Sequence, residues 1–182
     1  MSKPICVARM LMFCAIVGSS PVRADLLTLP PMQYTLFCIK YPAECRSTAD
    51  RQIDEAQLRQ LQNINSLINS MIVPDPHSDH EWNVYPPRGD CGDFAVTKRH
   101  AFLAAGWPSS RLLLAEVVLR SSHEHHLLLI VIGPSATWVL DNLRDGLLSL
   151  GEMRQRYFLV RAQTTSNPNI WATSWNGEWP SN

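Results

Sequence analysis

Three apolar runs, Leu112 to Leu119, His126 to Ile132 and Thr137 to Leu140, follow one another almost without interruption. The breaks between them are Ser121-Ser122-His123-Glu124 and Gly133-Pro134-Ser135. Connections this short join antiparallel neighbours, because a parallel return needs a crossover of about a dozen or more residues. Tyr157 to Gln163 reads as a further strand. Upstream the period changes. From Ala49 to Ile72, the apolar residues Ile53, Leu61, Ile64, Ile68 and Met71 recur mostly at three- and four-residue steps, which predicts an amphipathic helix. A second helix is predicted over Phe94 to Ala105, stopped by Gly106-Trp107-Pro108. Helices first and an antiparallel sheet afterwards make the fold class α+β, with N-terminal helices packed on the sheet. Residues 25–49 show little periodicity and read as an N-terminal wrapping segment. Residues 73–88 hold four prolines and form a loop carrying Trp82 towards Cys91. The last twenty residues, with Trp171, Trp175 and Trp179, read as coil.

The chain starts with a short basic stretch at Lys3 and an apolar run from Ile5 to Val17 interrupted by Arg9. Gly18-Ser19-Ser20-Pro21 breaks the run, and Val22-Arg23-Ala24 offers small residues at the positions a signal peptidase reads. Residues 1–24 are expected to be a secretory signal cleaved after Ala24, followed by one domain over 25–171 and a tail over 172–182. Leu11-Met12-Phe13 before Cys14 is too bulky for lipidation, and no run is long enough to span a bilayer. Removing Lys3, Arg9 and Arg23 from the 16 basic residues leaves 13 against 16 acidic ones, net −3. No basic stripe suggests nucleic acid. The expectation is one small periplasmic or secreted domain.

Export frames the cysteines. Cys6 and Cys14 leave with the signal, so Cys38, Cys45 and Cys91 remain. Cys38 and Cys45 bracket a short loop that Pro42 can turn, in a compartment that permits disulfides, and are expected to pair. Cys91 is left over. It sits in Arg88-Gly89-Asp90-Cys91-Gly92-Asp93, where Gly89 and Asp90 can supply a turn and a helix N-cap. A thiol in the first helical turn faces unpaired N–H groups and the positive end of the macrodipole, which favour the nucleophilic thiolate.

A cysteine nucleophile needs a base, and the base needs a partner that fixes its tautomer. His126 at the start of one strand and Asp141 at the end of the next become cross-strand neighbours at one sheet edge if the strands pair through the Gly133-Pro134-Ser135 turn. Rival readings stand beside this one. His125 and His126 occupy opposite strand faces, both apolar, so spacing does not choose between them. Zinc held by His123, His125 and His126 lacks helical spacing and a cysteine pair. Asp141 can instead end a strand in an Asx turn. Asp90 and Asp93 suit the helix start electrostatically, and they alone supply too few oxygens for a hard cation. Trp82 is either core or the wall of an active-site cleft.

Gly89-Asp90-Cys91-Gly92-Asp93-Phe94-Ala95, Lys98-Arg99, Ala105-Gly106-Trp107-Pro108, His126-Leu127-Leu128-Leu129 and Val139-Leu140-Asp141-Asn142-Leu143, in this order, resemble the bacterial transglutaminase-like cysteine proteinases. This is a periplasmic family of the papain-like superfamily, and the likeness runs from the first mature helix to Trp171. The Cys38–Cys45 segment also looks like the family's N-terminal region. The resemblance implies a papain-like or transglutaminase-like core and a catalytic triad of Cys91, His126 and Asp141. It selects His126 because the family's histidine directly precedes an apolar strand. It further implies a protein substrate, a surface adhesin clipped in biofilm control, and an inner-membrane cyclic-dinucleotide receptor as partner. Calcium in that family is held by acids in an Asp-Cys-Glu-Asp pattern. Here the pattern is Asp90-Cys91-Gly92-Asp93, so Asp90 and Asp93 remain as the metal candidates, and the chemistry itself requires no cofactor. Acyl transfer to an amine, or peptide and receptor binding without catalysis, are the alternative functions for such a core.

Overall fold

Leu127 to Ile132 are all buried, because this strand has helices against one face and a further layer against the other. The computed structural model describes residues 27–75 and 77–173. The proposed signal over 1–24 with Cys6 and Cys14, and Trp175 and Trp179 in the tail, lie outside the described residues. In chain order the elements are β1 (Leu27–Thr28), α1 (Met32–Lys40), a 3-10 turn (Pro42–Cys45), α2 (Glu55–Met71), β2 (Val73–Pro74) and β3 (Arg88–Gly89). Next come α3 (Cys91–Ala104), a 3-10 turn (Ser109–Arg111), β4 (Leu112–Leu119), β5 (His125–Ile132) and β6 (Thr137–Leu140). The chain then forms β7 (Leu148–Ser149), α4 (Leu150–Arg156), β8 (Tyr157–Gln163) and β9 (Trp171–Ala172). The main sheet has seven strands in the order β1-β9-β8-β4-β5-β6-β7, every pair antiparallel. This is the expected α+β architecture.

The sheet divides the core in two. Leu112, Leu114, Leu127, Leu129 and Val131 pack with Ala95, Val96 and Phe102 of α3 and with Tyr34 and Phe37 of α1. Leu113, Ala115, Val117, Leu128, Ile130 and Ile132 face the other way, towards Met153 of α4 and Tyr157 of β8. Burial on both faces explains why β5 lacks alternation and why periodicity could not assign a face to its histidines. Arg99, buried in α3, ties the layers together: its guanidinium donates to the Glu44 carbonyl, and its Nε donates to Leu112 O at 3.1 Å.

Several local expectations need correction. Residues 25–49 contain α1, hidden in the sequence because Met32, Leu36 and Ile39 are exposed apolar residues opposite the buried Tyr34 and Phe37. Apolar residues on both sides erase the stripe that marks a helix. The helix predicted from Ala49 starts at Glu55. Asp54 caps it, accepting from Gln57 N at 2.7 Å, while Gln57 Oε1 accepts from Asp54 N at 3.2 Å. Ile53 and Leu58 lie on either side of that cap in the same core cluster, as in a hydrophobic staple. Helix α3 runs from Cys91, directly after the expected Asp90 cap, so the run predicted from Phe94 gains one turn at its start. Trp171 is a fully buried residue of β9, not coil.

Cys38 and Cys45 form a disulfide with Cα atoms 5.6 Å apart, closing the end of α1 onto the following 3-10 turn. A loop this short still restricts the unfolded chain. Replacing both cysteines by serine is expected to lower stability by about 2 kcal/mol. The urea midpoint of unfolding measures this, and an unchanged midpoint would mean that the bridge contributes nothing to the fold.

Candidate active site

Asp90 makes the turn at which α3 begins. Its Oδ1 accepts from Gly92 N at 2.8 Å, and its own N–H donates to Asp93 Oδ2 at 2.9 Å. This reciprocal cap makes Cys91 the first helical residue, beside the unpaired N–H groups that favour a thiolate. Asp93 Oδ1 accepts from Asn83 N at 2.7 Å, anchoring the Trp82 loop to the same turn. A Cβ on Gly92 would lie 2.2 Å from the Trp82 indole, so only glycine lets that ring approach. Trp82 is thus both core and cleft wall: it is buried in the cluster with Tyr34 and Phe37, and it borders the cleft that holds Cys91.

The histidine and the aspartate come from β5 and the end of β6. Leu129 pairs with Leu140, and one further step of that register sets Asp141 against Leu128. His126 and Asp141 are therefore diagonal neighbours on one face. Both strands are interior, so the pair sits at the strand ends rather than at a sheet edge. His126 Nε2 lies 2.9 Å from Asp141 Oδ1, and both side chains are buried. The Asx turn is present as well, since Asp141 Oδ1 also accepts from Leu143 N at 3.0 Å. With Nε2 engaged, Nδ1 is the nitrogen left for a thiol. Cys91 is the free cysteine among the described residues, partly buried, and it shares with His126 a cleft of roughly 660 Å³.

Electrostatics follow from this packing. Burial pulls the His126 imidazolium down, but hydrogen bonds and charge from Asp141 and Cys91 outweigh it and push the pKa up to about 9. Burial works against the Asp141 carboxylate too, yet His126, Tyr157 and the Leu143 N–H bring it below its usual range. The rival histidines are placed differently, although His125 also borders the cleft. His125 is exposed, with Nδ1 2.8 Å from Glu116 Oε1, and His123 occupies a left-handed turn position at φ 63°.

Two residues near the site were given no role by the sequence. Tyr157 donates to Asp141 Oδ2 at 2.5 Å and stacks on the His126 ring, with centroids 5.9 Å apart. Its only sequence signal was its place at the start of a strand, and the strand order needed to bring it here was not legible. Lys98 is buried two turns along α3 from Cys91. Desolvation lowers its pKa to about 7, against the pull of Asp141 and Asp145. Its neighbours Thr97, Arg99 and His100 are polar as well, so nothing local marked it as buried.

The acids beside Cys91 do not fit a calcium site. Asp93 accepts backbone N–H groups on both oxygens, while Asp90 Oδ2 accepts from Ser78 Oγ at 3.1 Å and lies 2.7 Å from His80 Nδ1. Gly92 brings no side-chain ligand, and the Trp82 indole fills the space where a side chain would extend. Among the described residues, no cluster of three acidic, histidine or cysteine side chains has metal-binding geometry. Burial raises the Asp93 pKa to about 6, partly offset by its two N–H donors.

A search of curated proteins finds no significant match. Among solved structures, calcium-bound LapG of Legionella pneumophila superposes with a TM-score of 0.56 at 21% identity, covering 82% of this chain and 81% of that one. The EGTA-treated form of the same protein gives 0.54 at 21%, covering 78% and 76%. These likenesses establish the fold. The profile described as bacterial transglutaminase-like cysteine proteinase BTLCP matches residues 25–177, nearly the whole chain. With a helix-start cysteine opening onto the same cleft as a buried His–Asp pair, the chain belongs to the bacterial transglutaminase-like cysteine proteinase family.

Proposed function

We propose that this cysteine peptidase works through Cys91 as nucleophile, His126 as general base and acid, and Asp141 as the orienting carboxylate. The observation that carries the reading is the buried 2.9 Å contact between His126 Nε2 and Asp141 Oδ1, which leaves the other ring nitrogen for the thiol. His126 takes the Cys91 proton, and the sulfur attacks the peptide carbonyl. The negative oxygen that forms is stabilised by the Cys91 backbone N–H at the helix start. His126 then protonates the leaving amine, and water releases the acyl group from sulfur. An amine in place of water would give acyl transfer from the same intermediate, and mass analysis of the products separates the two outcomes. Tyr157 and Asp141 hold the ring in one tautomer, while Trp82 walls the cleft.

Residues 1–24 serve as an export signal in this reading, which places the domain in the periplasm. The Cys38–Cys45 bridge suits that location. No helix among the described residues is long and apolar enough to cross a membrane. An exported protein, of which a surface adhesin in biofilm control is the example implied by the family resemblance, is the substrate class. A membrane-bound cyclic-dinucleotide receptor would keep the enzyme near it.

Cys91→Ala is expected to abolish peptide cleavage and labelling by a thiol-reactive probe. His126→Ala should lower kcat by about 10³-fold or more, whereas His125→Ala should keep most of it. Loss of turnover in the His125 variant with retention in the His126 variant would move the base by one residue.

The raised His126 pKa makes stability depend on pH. The folded state binds this proton more tightly than the unfolded chain does. Its stabilising contribution is therefore complete below about pH 6.5 and disappears as pH rises through about 9. Lys98 has the opposite sign, because its folded pKa is depressed to about 7. The unfolded chain then binds the extra proton, and stability rises with pH above that value. The difference in melting temperature between wild type and His126→Gln isolates the histidine. It should shrink between pH 6.5 and 9, and a difference independent of pH would refute the assignment.

Since the acids near Cys91 are already engaged, millimolar calcium should leave the melting temperature where EGTA sets it. A rise of several degrees with calcium would show that the turn rearranges into a metal site.

A further inference from the structure

Asp141 and Tyr157 have a second cavity behind them. Its volume is roughly 360 Å³, and Arg120, Arg144 and Arg156 line it together with Ser121 and Gln155. The three arginines come from the end of β4, the loop after β6 and the end of α4, and their main chains are tied in place. Arg120 N donates to Arg156 O at 2.9 Å. Arg144 O accepts from the side-chain amides of Asn65 at 3.2 Å and Asn69 at 3.0 Å. The Arg120 guanidinium is held too, 3.6 Å from the Phe158 ring centroid, with its Nε donating to Arg154 O at 3.0 Å.

Among the described residues, none of the three guanidinium groups has a carboxylate within 4.0 Å. Glu152, which lies in the field of Arg144 and Arg156, instead accepts from Ser149 N and Oγ, both at 2.8 Å. Asp141 at the cavity floor is already bonded to His126, Leu143 and Tyr157. Three like charges around one cavity repel one another, and a carboxylate entering between them would relieve that repulsion through forked, charge-assisted hydrogen bonds. Leu119 and Leu143 border both this cavity and the Cys91 cleft, so the two adjoin and a chain lying in the cleft runs beside the arginine cavity.

We propose that the arginine cavity is a specificity subsite for an acidic side chain of the polypeptide substrate. This rests on the peptidase reading above, and its test is arranged so that the two fail separately. In a set of internally quenched peptides with Glu replacing Gln at each position in turn, one position should favour Glu by about tenfold in kcat/KM. That ratio should fall towards one in Arg144→Gln/Arg156→Gln and at high salt. Equal cleavage of Glu and Gln peptides at every position, or a preference that survives the double substitution, would overturn the subsite while leaving the peptidase intact. If no peptide is cleaved, the peptidase reading fails alone, and fluorescence anisotropy of the labelled peptides on Cys91→Ala decides the subsite. Tighter binding of a Glu peptide, lost with the two arginines, supports it; equal binding of Glu and Gln peptides overturns it.

Discussion

A carboxylate with 1% exposure, as Asp141 has, is tolerated in a protein interior only when its lone pairs are matched by donors. His126, Tyr157 and the Leu143 N–H supply three. Removing one of them would leave a buried charge undercompensated, at a cost on the order of 3 kcal/mol. The same interaction that makes Asp141 bearable at the strand ends therefore selects one tautomer and one ring orientation for His126. It also raises that histidine's affinity for a proton. The proton affinity of His126 and the burial of the pair share one physical cause.

The frame that holds this pair is a sheet packed on both faces. Because β4 and β5 are covered on each side, the strand ends where His126 and Asp141 sit cannot shift without disturbing two core layers. Helix α3 crosses one layer, and its N-terminus meets those strand ends. There the Asp90–Asp93 cap positions the Cys91 sulfur, and Arg99 joins α3 to β4 and to the disulfide-closed N-terminal turn. At the cap, an indole and a glycine take the room that a third acidic side chain would need. Local order in the turn comes from backbone donors and from Ser78 and His80.

The main strands were legible because their short connections leave few topologies, and β4, β6 and β8 begin and end where the apolar runs do. Cys91 at a helix start and the Cys38–Cys45 bridge were legible because Gly-Asp turns and short cysteine loops are local signals. Helix α1 was not, since apolar residues on its exposed side mask its buried face. Trp171 was not, because a two-residue strand carries no period. The roles of Tyr157 and of the three arginines are invisible in principle to a linear reading. Their meaning depends on the strand order β8-β4-β5-β6, which brings residues far apart in sequence around one aspartate.

The whole site turns on the protonation of one ring, and an NMR titration of the His126 imidazole in wild type and in Cys91→Ala measures it directly. His126 should titrate near pH 9 in the wild type and at a lower value once the sulfur is removed. A wild-type His126 that titrates at about 6.5, or one indifferent to Cys91, would contradict it.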